Sequence, residues 1–600
     1  MTSVVTAGGI SVTMRGAVVD GTEPVLDRLV SDGVPVRLAS GGPGPGGSGG
    51  AVPPRASRLW GPDAAAAAGR GLGWLELPRR SQGLPSRLAR LAGEARGAGL
   101  DRVVLAGAGG AGPAPEAIAR TAGVELTVLD GTDPHQARAV LEDGRLARTL
   151  VVLTGTPDPG ADPRAPRSFG PPEVDVETDA YRRIFEDAFR RAGIAGDAMR
   201  RRFVVVAVPG SPLAELAAGS GYRFVPADGD AGGPFAALGA AGLVPAALAG
   251  ADVARLLDEA AALAPALRLP YDNPALALGA ALGSSALAGR DKLVVADHAP
   301  GLPGLCDWVE HLVAAATGKD GKGLLPVVVE GVDAPGFGVA GDVRRVLVGA
   351  RPDESGQGQA AAGERPLAAP EGEREAGLSV SGPLGAQFLL WQYAVAVACR
   401  VIGVNPFACP DVGESRDNAA ALLRSEEGTS PTVVARPAAL VSDAVEVHGP
   451  EELLRGARTL TDALEAVLAC VPERGYLAVM AYLDRWGDPA AAGLRSLLAA
   501  RGAAVRGAPV PVTFGWAPRC LPAAGQCHKG GPAGGTFLQI TGRVVDDVPV
   551  PGRPYTLGQL QLAQAFGDMR VLRARGRPAV RLHLRDRVDG LAQLTKALTA

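Results

Sequence analysis

Along most of the chain, short runs of apolar residues alternate with longer segments of helical spacing. The first runs fall at 103–105, 124–129, 150–153 and 203–206, with helical segments at 134–142 and 181–192 between them. A second series begins near Pro274, with apolar runs at 293–296, 325–329 and 346–348. Two segments of helical character, 386–402 and 417–423, precede further runs at 476–481, 510–514, 537–541 and 580–584. Runs this short, bounded by turn residues, suit strands covered on both faces, and the helices between them suit parallel crossovers. The pattern predicts an α/β protein built of doubly wound parallel-sheet domains. Residues 41–50 (GGPGPGGSGG) sustain neither period and mark a flexible loop, and the polar, aperiodic stretch 352–377 predicts a loop insertion. The expected division is an N-terminal segment 1–85, a first α/β domain 86–260 and a second 261–600.

Composition narrows the classes. The chain has 600 residues, 47% hydrophobic and 20% charged, enough to bury sizeable cores despite 83 glycines and 50 prolines. A formal net charge of −3 gives no basic footprint for nucleic acid or an anionic membrane. The six cysteines (Cys306, Cys399, Cys409, Cys470, Cys520, Cys527) form no CxxC pair and are too few for a disulfide scaffold. Residues 1–15 lack the basic start and apolar core of a secretory signal. The uncharged stretches 231–251 and 376–399 are interrupted by glycine and proline, and the apolar part after Gly385 is expected to be too short to span a bilayer. The expectation is a cytoplasmic multidomain protein with no nucleic-acid or membrane partner.

The turn Gly107-Ala108-Gly109-Gly110-Ala111-Gly112 follows an apolar run and fits the spacing GxGxxG. Glycines there let backbone N–H groups approach an anion, and Asp130 ends the next run, near where a dinucleotide fold places its ribose acid. A tight strand-to-helix turn gives the same spacing in so glycine-rich a chain. Cys520, Cys527 and His528 lie close in sequence but match no zinc-ligand spacing, so no metal site is expected. His135, His298, His311, His448 and His583 are scattered and expected to be surface or packing residues.

Longer blocks carry a resemblance: WGPD at 60–63, PGSPL at 209–213, GLVPAALAG at 242–250, TGKDGKGLLPVVVE at 317–330, GPLGAQFLLW at 382–391, GYLAVMAYLDR at 475–485, GQCHKGGP at 525–532 and FLQITG at 537–542. Together they resemble glucose-6-phosphate isomerase, in the version also found fused to transaldolase, from about residue 58 to residue 598. The resemblance implies two sugar-isomerase domains, a dimer with its active site between domains, and interconversion of glucose 6-phosphate and fructose 6-phosphate without metal or nucleotide cofactor. That chemistry needs a hydroxyl-rich phosphate loop, a glutamate to move a proton between C1 and C2, a cation for the enediolate, and a His and a Lys for ring opening.

At those positions the sequence departs from the family. GMGGSSLAPE is here GAGGAGPAPE at 107–116, keeping Gly109 and Gly110 and losing both serines. The phosphate loop falls near Thr154 and Thr156, followed by Pro157 and Asp158, which remove a donor and add a negative charge. The enediolate arginine becomes Pro234 and the glutamate of AESTGK becomes Ala315, ahead of retained Thr317, Gly318 and Lys319. The family's lysine becomes Arg416, a poor proton shuttle with a pKa above about 12. One candidate histidine becomes Pro522, while Gln526, His528 and Lys529 remain. Losing a general base typically costs about 10²–10⁴-fold in rate. The expectation is a catalytically impaired paralogue that binds a sugar phosphate or pairs, as a homodimer or mixed dimer, with an active isomerase subunit. Two alternatives are an active isomerase using Glu310 or Asp320 as substitute base, and new chemistry through Cys527 and His528.

Overall fold

The computed structural model describes residues 1–39, 54–107, 110–155, 174–298, 301–338, 340–349, 377–425 and 437–600. β1 (Thr2–Ala7) and β2 (Ile10–Arg15) form an N-terminal hairpin. β3 (Arg102–Gly107), β4 (Thr127–Leu129), β5 (Thr149–Thr154), β6 (Phe203–Ala207) and β7 (Arg223–Pro226) make an all-parallel sheet in the order β4-β3-β5-β6-β7. β8 (Lys292–His298), β9 (Leu325–Val329), β10 (Val343–Gly349) and β11 (Leu378–Ser381) are mutually parallel in the order β11-β10-β8-β9, and the hairpin adds antiparallel to β11. The last sheet holds β12 (Leu440–Ser442), β13 (Val445–His448), β14 (Tyr476–Tyr482), β15 (Val512–Trp516), β16 (Gly535–Gly542) and β17 (Ala579–Leu584), in the order β12-β13-β17-β16-β14-β15.

The α/β class with parallel sheets therefore holds, and the apolar runs become its strands. The first parallel sheet, β3 to β7, lies wholly within 86–260. The N-terminal hairpin is not separate, because its backbone pairs with β11 more than 360 residues away. The stretch 261–600 carries two sheets rather than one. The loop expected at 41–50 lies outside the described residues, as does nearly all of the insertion at 352–377.

Nine helices position the site and its surroundings: α1 (Pro113–Ala122), α2 (Val176–Arg191), α3 (Pro274–Leu287), α4 (Leu305–Thr317), α5 (Leu384–Ile402), α6 (Gly413–Ser425), α7 (Ala524–Gly530), α8 (Leu557–Ala574) and α9 (Arg587–Thr599). α5 has 19 residues, long and apolar enough to cross a membrane, which corrects the expectation that this stretch is too short. Its most apolar window is 89% buried inside the fold, as befits a helix hydrophobic on all sides. It packs closely on α3, where a Cβ at Gly283 would stand 2.5 Å from the Cβ of Val401.

The carboxyl ends of the first and last sheets face each other through three arginines. Arg485, just after β14, reaches Glu116 of α1 at 2.8 Å. Arg519, after β15, pairs with the same glutamate and reaches Asp130 at 3.1 Å. Arg587, at the start of α9, bridges Asp133 and Asp488 at 2.9 Å each. Burial by itself would raise the Glu116 carboxyl, but Arg519 and Arg485 outweigh it and hold it down at about 2. Asp133 is likewise held at about 2, its burial offset by hydrogen bonding from His135 and by Arg587.

A carboxylate depressed on folding stabilises the native state fully above its unfolded value and loses that stabilisation as pH falls through the folded value. This clamp is therefore intact above pH 4.5 and weakens as pH falls toward about 2. Glu116→Gln is expected to destabilise the protein at neutral pH by about 3–5 kcal/mol and to flatten the acid limb, measured by urea unfolding between neutral pH and the acid limit.

Candidate functional site

In the first sheet the strand order reverses at β3, which has β4 on one side and β5 on the other, so a crevice opens at the carboxyl ends of β3 and β5. Gly107 and Thr154 are paired at those two ends. Thr154 is 1% exposed and its hydroxyl has no hydrogen-bond partner among the described residues. Gly109 and Thr156, with the rest of the loop expected to hold phosphate, lie outside the described residues. Gly110 takes a positive φ of 95° in the turn leading to α1. Gly112 is needed for contact, since a Cβ there would stand 2.0 Å from an Asp130 oxygen. The glycine turn thus brings α1 against Asp130, whose carboxylate is ion-paired with Arg519, so the geometry favours the tight turn over a ribose-binding site.

Beyond this turn lies a small, half-open hollow, lined by Gly110, Pro234, Trp308, His311 and small residues such as Ala114 and Ala237. A Cβ at Gly110 would lie 3.5 Å from the Pro522 Cβ, so Gly110 has Pro522 against it and shares the hollow with Pro234. Apart from Trp308 and His311, the wall is alanine, glycine and proline. Two polar side chains line it that sequence reasoning did not single out. The buried indole N–H of Trp308 has no partner among the described residues. His311, read as packing, places Nδ1 3.2 Å from the Asp307 carbonyl and Nε2 3.4 Å from the Arg519 carbonyl, and burial lowers its pKa.

Ala315 sits one turn beyond His311 on α4. It is 7% exposed and belongs to an apolar layer with Cys520, Leu521, Ala523 and Cys527. The following block holds structure rather than an open site. The Thr317 hydroxyl donates to the Val313 carbonyl at 2.8 Å and accepts from the Leu324 N–H at 2.9 Å. A Cβ at Gly318 would stand 2.5 Å from Cys527 Cα, so glycine lets α7 approach. Lys319, 2% exposed, donates to the carbonyls of Asn405 and Ala408.

α7 is equally enclosed. Gln526 donates to the Gly318 carbonyl at 2.9 Å and to Asp411 at 2.6 Å, joining α4, α7 and the segment before α6. Lys529 forms an ion pair with Asp568 of α8 at 2.6 Å, each side chain 1% exposed. His528 lies 5.2 Å from the Phe537 ring centroid, neither ring nitrogen has a partner among the described residues, and burial, then Lys529, push it down to about 3. Burial also pushes the Cys527 thiol up to about 12. A neutral thiol and a neutral imidazole, both buried, do not support nucleophilic chemistry here.

Arg416, on α6, acts electrostatically on Asp175 and Glu177 at the start of α2. Glu177 is raised well above the ordinary carboxyl range by burial and then by Asp175, and it accepts a hydrogen bond from Gln564. The cation in the family's lysine position therefore meets carboxylates of the chain itself. Of the two substitute bases expected from sequence, Asp320 is exposed in the turn after α4. Glu310, on α4, is raised to about 8 by burial and then by Asp307.

The fold and site define an α/β protein of parallel-sheet domains with a crevice at the strand ends. No family model matches the chain. It is 31% identical over 237 residues to a probable glucose-6-phosphate isomerase of Haloarcula marismortui, covering 38% of this chain and 49% of that one. It is 30% identical over 280 residues to the glucose-6-phosphate isomerase of Symbiobacterium thermophilum, covering 42% and 57%. The chain thus spans about half the length of these relatives. In structure, a hypothetical protein from Thermus thermophilus aligns with TM-score 0.52 and 21% identity, over 72% of this chain and all of that one. A glucose-6-phosphate isomerase from Chlamydia trachomatis aligns with TM-score 0.50 and 17% identity, over 72% and 92%, which speaks for the fold. The resemblance to the glucose-6-phosphate isomerase family, carried in sequence by the blocks above, is borne out by these matches.

The Lys529–Asp568 pair gives a direct test of the enclosed arrangement. Lys529→Met leaves Asp568 buried without its cation and is expected to cost about 3–5 kcal/mol in urea unfolding; adding Asp568→Asn is expected to recover part of that loss.

Proposed function

We propose that this protein keeps a glucose-6-phosphate isomerase-like fold without the aldose–ketose isomerase reaction, its role being binding rather than turnover. The observation that carries this reading is Ala315. The position implied for the proton-transferring glutamate holds a methyl group in an apolar layer, and the hollow nearby has Pro234 where a cation would stabilise an enediolate. Moving a proton between C1 and C2 requires a base within hydrogen-bond reach of carbon-bound hydrogen and a charge to hold the enediolate, and several such losses act together. A sugar phosphate or an isomerase subunit is the ligand class this reading favours.

A second reading rests on Glu310. It projects from the same helix, its carboxyl sits near 8, and it makes no ion pair among the described residues, so it is a base of suitable strength for neutral pH. Turnover of glucose 6-phosphate to fructose 6-phosphate by purified protein separates the two. The first reading expects wild type and Ala315→Glu both to match a mock purification, since one carboxylate does not supply the missing cation. Turnover that Glu310→Gln abolishes would overturn it and establish the second.

A further inference from the structure

Each of the three sheets ends in two edge strands, and an edge strand leaves a row of backbone N–H and C=O groups able to pair with another strand. Five of the six edges are blunted. β4 and β12 are three residues long, β7 begins at Arg223 and ends at Pro226, and β9 carries Pro326 at its second position. β15, the remaining edge of the last sheet, lies against β9. Short length, charge, proline and cover are the devices that keep a sheet edge from pairing.

β1 has none of them. Its six residues, TSVVTA, hold no charge and no proline, and its register with β2 runs from Thr2–Arg15 to Ala7–Ile10 without a bulge. The two-residue turn Gly8-Gly9 makes Ala7 and Ile10 the hydrogen-bonded pair that closes the hairpin, so bonded pairs alternate back through Val5–Val12 and Ser3–Met14. The Met1 carbonyl, accepting from the Gly16 N–H at 2.9 Å, keeps the same alternation. The Arg15 N–H points the other way, to the Gly377 carbonyl beside β11 at 2.8 Å. The N–H and C=O of Thr2, Val4 and Thr6 therefore point away from β2, and no described residue bonds them. Their side chains share one face of the strand and are exposed, that of Val4 included.

We propose that β1 pairs with β1 of a second copy of this chain, antiparallel about a two-fold axis at Val4, joining two six-stranded sheets into one. In that register Val4 faces Val4, and Thr2 of each copy faces Thr6 of the other. The outward groups of all three residues are then met at once, by the same residues on both sides, as an isologous interface requires. Val opposite Val and Thr opposite Thr are favourable cross-strand pairs, and the pairing covers the exposed Val4 side chain. A strand without charge meets its own copy without repulsion, whereas a charged segment of another protein finds no opposite charge on β1 to select it. The interface is separate from the crevice and the hollow and does not depend on the isomerase reading.

Sedimentation velocity of the full-length protein over a range of concentrations reads the assembly. Val4→Lys sets two ammonium groups opposite each other at the axis, and because Val4 is exposed at an edge the circular dichroism is expected to stay unchanged. The wild type is expected to show a concentration-dependent assembly whose mass Val4→Lys halves, with association weakened about tenfold or more. Val4→Cys brings two thiols to the axis, where the Cα separation of a bonded antiparallel pair, about 5.5 Å, suits a disulfide. Mild oxidation is expected to link Val4→Cys, but not the wild type, into a covalent dimer. A wild type that stays monomeric overturns the proposal. So does an assembly whose mass Val4→Lys leaves unchanged, since it then forms through another surface, and so does a Val4→Cys protein that does not cross-link.

Discussion

The arrangement of the strand ends depends on three arginines of the last sheet entering the acidic edge of the first. Arg485, Arg519 and Arg587 each follow the carboxyl end of a strand, and each meets an acid that follows β3 or β4. Their charges are largely withdrawn from water, with Arg519 and Arg587 10% exposed and Asp130 and Asp133 nearly fully buried. Such a network is worth keeping only if every member is paired, which fixes the two sheets in one register. It also fixes the path of the segment 519–530. That segment places Pro522 against Gly110, and Cys520, Leu521 and Cys527 around Ala315.

On the proposed reading, the consequence is a family-like scaffold in which the positions implied to be reactive are packed. Lys319, Gln526 and Lys529 survive as residue types, but their polar atoms bind backbone carbonyls or buried carboxylates. Arg416 faces Asp175 and Glu177. His311 and Trp308 stand at the hollow, whose other lining residues are alanine, glycine and proline.

Much of the fold was legible because buried parallel strands are short, apolar and bounded by turns, as at 103–105, 150–153 and 203–206. The N-terminal hairpin was not, because β1 alternates exposed and partly buried residues at a sheet edge and its partner β11 lies hundreds of residues away. The third sheet was missed because no composition shift separates it from the second. At the site, the positions Ala315 and Pro234 are assigned only through the blocks that carry the resemblance. The partners of Lys319 and Lys529 were not legible, since a lysine in a motif carries no sign of the carbonyl or carboxylate it meets in space. His311 is buried and bonded to two carbonyls, as expected of a packing residue, but its place beside the hollow is not legible, because a lone histidine on an apolar helix gives the same pattern either way.

The central claim is that no group in this protein moves the proton between C1 and C2 of a hexose phosphate. Incubation with fructose 6-phosphate in D₂O, followed by proton NMR of the substrate, tests that step even where net conversion is too small to detect. The account predicts no deuterium incorporation beyond that of a mock purification. Incorporation that tracks the purified protein would contradict it and show that a working base remains.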